Sequence, residues 1–195
     1  MNKLYTGISP FGIPIYLDWT LIILCLLIIP MYKAFSLVLI PVLLFSIVAH
    51  EFGHILMARK YGRRSFGVVL SMFGGVAYIE GIDEHEWKIA LAGPMVSLCL
   101  SLIGFVLCYF IPSFPPILFV LNLVLGVFNL VPMYPMDGGR ILHSLLSKRC
   151  SKAKEISLYT TYVLATSGIC VSLFFEQVFL ALILGYVLFL AWSQR

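Results

Sequence analysis

Charge is scarce in this chain. Of its 195 residues only 11% are Asp, Glu, Lys or Arg, against roughly 25% in a soluble globular domain. That deficit excludes a water-solvated globular protein. The balance is apolar, with 61% hydrophobic residues and a mean hydropathy of +1.02, the composition of one multi-span membrane domain. The net charge of +4 does not signal nucleic-acid binding, because the basic residues stand beside apolar runs, where membrane topology requires them. Paired cysteine is missing too. Cys25, Cys99, Cys108, Cys150 and Cys170 form no C-x-x-C pair, which argues against a disulfide framework or a thiolate metal site. They read as small packing residues. No small-residue cleavage site follows the first apolar run, so that run is expected to remain as a span. Linkers, low-complexity tracts and internal repeats are absent, and residues 1–195 are expected to form a single transmembrane domain.

Six apolar runs are present, at about Tyr16–Met31, Phe35–Ala58, Trp87–Ile111, Ile117–Val131, Ile156–Phe175 and Val178–Trp192. Each is near the ~20 residues that cross a hydrocarbon core, the first and fourth being short. Arg59, Lys60, Arg63 and Arg64 follow the second run. Arg140, Lys148, Arg149, Lys152 and Lys154 lie between the fourth and fifth, whereas Pro112–Pro116 carries no charge. The excess of Lys and Arg on alternate loops predicts a multi-pass cell-membrane protein with both termini in the cytoplasm. Two segments do not read as helix. One is Gly12–Leu17. The other is Ser65–Glu80, β-branched and aromatic around Gly74-Gly75, which reads as a hairpin turn. An open strand edge cannot face lipid, so the hairpin belongs at the cytoplasmic interface, against protein or a wet groove. The expected fold is an all-α polytopic membrane protein of about six transmembrane helices with a small cytoplasmic-side β-hairpin or sheet.

His50-Glu51-Phe52-Gly53-His54 lies inside the second apolar run. Ionisable residues at membrane depth cost on the order of 2.5–3.5 kcal/mol each on insertion scales and need a functional reason. On a helix, H-E-x-x-H sets the two histidines on one face at i and i+4, where both can bind one zinc ion, and the glutamate can act as general base. The cytoplasmic end of the run comes about one turn after His54, so the site is expected nearer the cytoplasmic face. A catalytic zinc wants three protein ligands and one open position. The third should be a His, Asp or Glu at similar depth, and Asp137 is the best candidate. It stands in Asn129-Leu130-Val131-Pro132-Met133-Tyr134-Pro135-Met136-Asp137-Gly138-Gly139. There, two prolines deny helix hydrogen bonds and two glycines permit an irregular path. A satisfied loop carboxylate beside Arg140 is the competing reading.

HEFGH in a span, with NLVPMYPMDGG about eighty residues later, resembles the site-2 protease family of intramembrane zinc metalloproteases. Gly12-Ile13-Pro14-Ile15, Phe73-Gly74-Gly75 and Ala92-Gly93-Pro94-Met95-Val96-Ser97 also resemble family segments, so the likeness covers most of the chain. It is nearest the six-span archaeal and bacterial branch, and the nucleotide-sensing module and the PDZ insertion of other members are expected to be absent. Many members carry Asn where Ser97 stands. The resemblance implies one zinc ion bound by His50, His54 and Asp137. It implies Glu51 as the base that activates water, and Asn129 as the residue that positions the scissile peptide or stabilises its oxyanion. It further implies that transmembrane segments of membrane proteins are the substrates, unwound and cut in their cytoplasmic half. An extended substrate would be able to pair with the hairpin by strand addition.

Blander assignments stand beside these. Asn129 is also read as hydrogen-bonding glue between helices. His85 and His143 are read as solvated or interfacial residues, and Gly93-Pro94 and Gly104 as packing or kink residues. The basic clusters are mainly topology signals, with contact to anionic lipid as a secondary use. The competing functions are a non-catalytic relative that binds membrane helices and a divalent-metal transporter. A transporter needs ligands spread along several spans, whereas the candidates here cluster at one depth. No feature specifies the oligomeric state.

Overall fold

The computed structural model describes residues 3–72, 74–81, 84–111 and 116–193. Phe73 of the hairpin, Asp83 of the acidic turn and residues 112–115 of the uncharged loop lie outside the described residues. The chain gathers into two compact units, Met1–Ile82 with Ala92–Gly126, and Asp83–Leu91 with Val127–Arg195.

The first unit is built on a four-stranded sheet in the order β1-β2-β3-β4, with β1 Lys3–Tyr5, β2 Ile15–Asp18, β3 Ser65–Ser71 and β4 Gly74–Ile79. Strands β3 and β4 form the expected hairpin, but Gly74 is already in β4, paired with Ser71. The non-helical Gly12–Leu17 segment supplies β2, which pairs in parallel with β3, Ile15 opposite Val68. This pairing explains a difference from the sequence reading. The first apolar helix starts at Thr20, not Tyr16, because residues 15–18 are taken up by the sheet. Asp18 Oδ1 accepts the Thr20 N–H at 3.0 Å and the Thr20 hydroxyl at 2.7 Å at that junction.

Helix α1 runs Thr20–Tyr32 and α2 Ser36–Lys60, separated by a short 3-10 turn in which Lys33 has φ 48°. Ile47 and Ile55 of α2, eight residues apart on one helical face, join Ile13, Ile15, Leu21, Phe52, Val68 and Leu70 in a buried core between α2 and the sheet. Arg59 and Arg63, just past that face, tie the same parts together. Arg59 Nη1 donates to Phe11 O at 2.8 Å and Arg63 Nε to Glu80 O at 2.7 Å.

Helices α3 (Glu86–Phe110) and α4 (Ile117–Asn129) follow. Within the first unit they meet α2 and each other through buried polar contacts. Asn122 Nδ2 donates to Ser46 Oγ at 2.9 Å, and Ser101 Oγ to Phe119 O at 3.0 Å. Such bonds between apolar helices are usual in membranes.

The second unit contains α5 Asp137–Ser147, α6 Ala153–Phe174 and α7 Val178–Trp192. Its buried core joins Met133 and Met136 to Ala165, Leu184 and Val187. The proline-rich approach to α5 is held by Thr161, whose Oγ1 accepts the Tyr134 N–H and donates to Ser157 O, both at 2.9 Å. The Tyr134–Pro135 bond is cis. The irregular path expected at Gly138-Gly139 does not occur, since both glycines lie in the first turn of α5. Their lack of a side chain serves close approach instead. A Cβ on Gly138 would collide with the carbonyl oxygens of Leu130 and Val131, and one on Gly139 would stand 2.6 Å from Met133 O.

The runs Thr20–Lys60, Glu86–Phe110 and Ala153–Phe174 are long and apolar enough to cross a membrane, and Ile117–Asn129 and Leu180–Trp192 are shorter apolar helices. The fold is therefore that of a mainly helical membrane protein with a small sheet. Among the described residues α5 is the one addition to the six apolar helices of the sequence reading.

Candidate metal centre

The site starts from helix geometry. On α2 the i, i+4 spacing stacks His50 over His54, and Glu51 turns roughly a quarter-turn away, onto the Ile47–Ile55 face that covers the sheet. All three are buried, at 3%, 2% and 8% exposure. Among the described residues they form the one group of three His, Cys, Asp or Glu able to hold a metal, with ligand atoms within 4.8 Å of one another. The two Nε2 atoms are 3.3 Å apart. Two imidazoles on a tetrahedral zinc, with Zn–N of about 2.0–2.1 Å, have nitrogens about 3.3–3.4 Å apart. The pair thus has the spacing that zinc requires.

Helix α3 fixes the rings. Ser97 Oγ is 2.9 Å from His50 Nδ1 and fully buried. With Nδ1–H donating to that hydroxyl, Nε2 keeps its lone pair for the metal, the usual outer-shell arrangement of a histidine ligand. Gly93, four residues before Ser97 and on the same face, leaves room for the imidazoles. A Cβ there would collide with His54 Nε2 and lie 2.8 Å from His50 Nε2. Gly53, inside the motif, does the same for the backbone, since its Cβ would meet Ala92 O at 2.7 Å. Two glycines, one per helix, thus bring α2 and α3 into direct contact at the site.

The sheet fixes Glu51. The Ala77 N–H of edge strand β4 donates to Glu51 Oε2 at 2.9 Å, and a Cβ on Gly75 would stand 2.5 Å from Glu51 Cγ. One carboxylate oxygen is held by the backbone, while the other is the one suited to take a proton.

Asp137 and Asn129 belong to the second unit. Asp137 is the first residue of α5, 6% exposed, with Oδ1 accepting from Arg140 Nη1 at 3.1 Å. Arg140 Nη2 in turn reaches Glu86 Oε1 at 2.6 Å. Asn129 is the half-buried last residue of α4. His85 lies outside the metal cluster, with Nε2 3.9 Å from Glu84 Oε1.

The sequence reading assigns no ligand-orienting role to Ser97, Gly93, Gly75, Ala77 or Glu86. A signal exists for two of them. Gly93 and Ser97 are small and one helical repeat apart in an otherwise mostly apolar helix. Gly75 and Ala77 act through backbone and through the space they leave, which no residue pattern encodes.

Comparison with known proteins identifies the family. Residues 19–136 match the model of the "Peptidase M50B-like" family and residues 111–168 that of "Peptidase family M50". A zinc metalloprotease of Methanocaldococcus jannaschii is 39% identical over 158 residues, covering 75% of this chain and 47% of that protein. The stage IV sporulation protein FB of Bacillus subtilis is 32% identical over 131 residues, covering 61% of this chain and 44% of its own length. The chain therefore spans about half the length of these relatives. The solved site-2 protease from Methanocaldococcus jannaschii superposes with a TM-score of 0.76 at 35% identity, covering 98% of this chain and 94% of that one. With more than half its length matched by the family model and its histidine pair set at zinc spacing, the chain belongs to the M50, or site-2 protease, family of zinc metalloproteases.

Proposed function

We propose that this chain is an intramembrane zinc endopeptidase that hydrolyses peptide bonds within or near transmembrane segments of membrane proteins. The observation that carries the reading is the buried trio on α2. Two imidazoles sit at the spacing of ligands to one zinc ion, with a carboxylate of the same helix beside them and aimed by a backbone N–H.

His50 and His54 would hold the ion, with Asp137 as the third protein ligand. Asp137 is the reading of the N-x-x-P-x-x-P-x-D motif, and its ion pair with Arg140 is the kind of outer partner that a ligating carboxylate keeps. When bound, zinc supplies Lewis acidity to the scissile carbonyl and lowers the pKa of water. Ser97 holds His50 in the tautomer that ligation needs. Glu51 takes the proton from the attacking water and returns it to the leaving amine, a transfer worth typically 10²–10⁴-fold. The Ala77 N–H keeps its carboxylate oriented throughout. The Asn129 amide donates to the oxyanion that develops on the substrate.

The chain acts in this reading as one protease domain, multi-pass, with both termini in the cytoplasm and the site nearer the cytoplasmic face. An unwound substrate segment would add to the outer edge of β4, where backbone groups point away from β3.

The test compares membrane proteomes of cells expressing wild-type protein or Glu51→Gln, alongside zinc content of the purified proteins. Glu51→Gln is expected to keep zinc and to accumulate an uncut membrane protein. His54→Ala and Asp137→Ala are expected to lose both zinc and cleavage. A membrane proteome unchanged by Glu51→Gln, with zinc still bound, would overturn the endopeptidase reading in favour of a membrane-helix-binding role. Equal zinc content across the variants would overturn the ligand set.

A further inference from the structure

Arg140 stands between two buried carboxylates. Its Nη1 meets Asp137 Oδ1 at 3.1 Å and its Nη2 meets Glu86 Oε1 at 2.6 Å. Asp137 is 6% exposed and Glu86 8%. All three residues lie in the second unit, so the bridge lies within one compact body. Asp137 and Arg140 are three residues apart on the first turn of α5, and Glu86 opens α3.

We infer that Arg140 is a positioning residue, which holds the Asp137 carboxylate in the orientation a metal needs, while Glu86 prevents Arg140 from neutralising it. The inference rests on the reading of Asp137 as a zinc ligand. Charge and geometry support it together. A buried carboxylate with an arginine to itself forms a closed pair, with little reason to give an oxygen to a metal. Here the single positive charge of Arg140 is shared with Glu86, and its contact to Glu86 is the shorter. The first turn of a helix also favours a carboxylate.

The guanidinium is suited to this by its shape. Its planar fork directs two N–H groups at two separate acceptors along fixed lines, which fixes the rotation of the Asp137 carboxylate as well as its position. A lysine ammonium in the same place is a point charge without that fork. The role therefore separates charge from shape, and Arg140→Lys is the informative variant. Arg140→Gln alone leaves two buried carboxylates without their cation and risks the fold. Glu86→Gln with Arg140→Gln keeps the net charge but still takes the arginine from Asp137, so the metal-free midpoint is compared on Arg140→Lys, which keeps the cation.

The experiment measures two quantities on the full chain in detergent: zinc affinity, by competition with a chelator, and the unfolding midpoint of the metal-free protein. Outer-shell changes cost about 10–100-fold in metal affinity. Arg140→Lys and the Glu86→Gln/Arg140→Gln double variant are each expected to weaken zinc by an amount in that range. In an Asp137→Ala background, Arg140→Lys is expected to have no further effect on zinc. A merely structural staple between α3 and α5 gives the opposite pattern, with a lowered metal-free midpoint and unchanged zinc affinity, and that result would overturn the inference. So would an equal loss of affinity with and without Asp137. The two layers remain separable. If Asp137→Ala leaves zinc affinity untouched, the ligand reading fails and takes the inference with it. If Asp137→Ala weakens zinc but Arg140→Lys does not, only the inference fails.

Discussion

In the first unit the site residues sit in mid-helix and are held by shape and by hydrogen bonds to uncharged groups. Gly53, Gly75 and Gly93 leave the space, while Ser97 and the Ala77 N–H supply the bonds. In the second unit the candidate ligand sits at a helix start and is held by ion pairs, Asp137 to Arg140 to Glu86. The difference follows from what each side chain is. A neutral imidazole needs one partner for its second nitrogen and room for its ring. A buried carboxylate needs its charge compensated, by a backbone N–H at Glu51 and by an arginine at Asp137, because an uncompensated buried charge costs several kcal/mol. Glycine is used in both units, but for different neighbours. At Gly93 the atoms that a Cβ would strike belong to side chains, whereas at Gly138 they are backbone carbonyls.

That contrast predicts different failures from the same small change. Gly138→Ala drives a methyl into two carbonyl oxygens, those of Leu130 and Val131. The main chain leading into α5 must shift, and overpacking of this kind costs typically about 1–3 kcal/mol, occasionally more. The expected result is a lowered unfolding midpoint for the metal-free protein, and zinc is lost as a consequence. A wild-type midpoint would show that the approach to α5 is pliable, and close backbone packing would no longer account for its two glycines.

Gly93→Ala should leave the metal-free fold closer to wild type, because imidazole rings can swing where backbone cannot. The rings cannot swing and still face one ion. Zinc affinity is expected to fall by about 10–100-fold, the range for changes in the shell around metal ligands, with a smaller change in melting temperature than Gly138→Ala gives. Melting and chelator competition on both variants would settle it. Equal profiles would break the distinction between fitting a ligand and fitting a chain.

The same distinction explains how much of the molecule is legible in its sequence. His50, Glu51 and His54 can be read because a helix converts spacing into direction, and i, i+4 brings two rings together wherever the helix lies. The fold class is legible for a similar reason, since apolar runs of membrane length have few other uses. The parallel pairing of β2 with β3 is not, because it joins segments about fifty residues apart through a register that neither segment encodes alone. Helix α5 escapes a sequence reading because Gly138-Gly139 weighs against helix by propensity, about 1 kcal/mol per glycine relative to alanine, whereas both are there to let backbone approach backbone. Asn129 has glue between helices as its blander reading, and the structure shows an interhelical amide bond seven residues earlier, at Asn122. In a uniformly apolar run, nothing distinguishes one asparagine from the next until the neighbouring helix is known.

Asn122 gives the smallest expected effect and the sharpest limit on the comparison. It is fully buried, and its Nδ2 donates to Ser46 Oγ and Leu118 O, each at 2.9 Å. Its Oδ1 has no hydrogen-bond partner among the described residues. Hydrogen bonds between membrane helices average about 0.6 kcal/mol, and an unsatisfied buried acceptor costs about 1–3 kcal/mol. Asn122→Leu removes both at similar volume, and Ser46 keeps its own donation to Val42 O at 2.7 Å. Stability is therefore expected to stay within about 1 kcal/mol of wild type, with zinc content unchanged, as read by denaturant unfolding in detergent and metal analysis. Breaking one partner of a buried ion pair, by contrast, costs about 3–5 kcal/mol. If Asn122→Leu unfolds the protein as an ion-pair loss would, neutral polar contacts in the first unit carry as much as the charged bridge in the second. The two units would then differ only in the chemistry of their contacts and not in their strength.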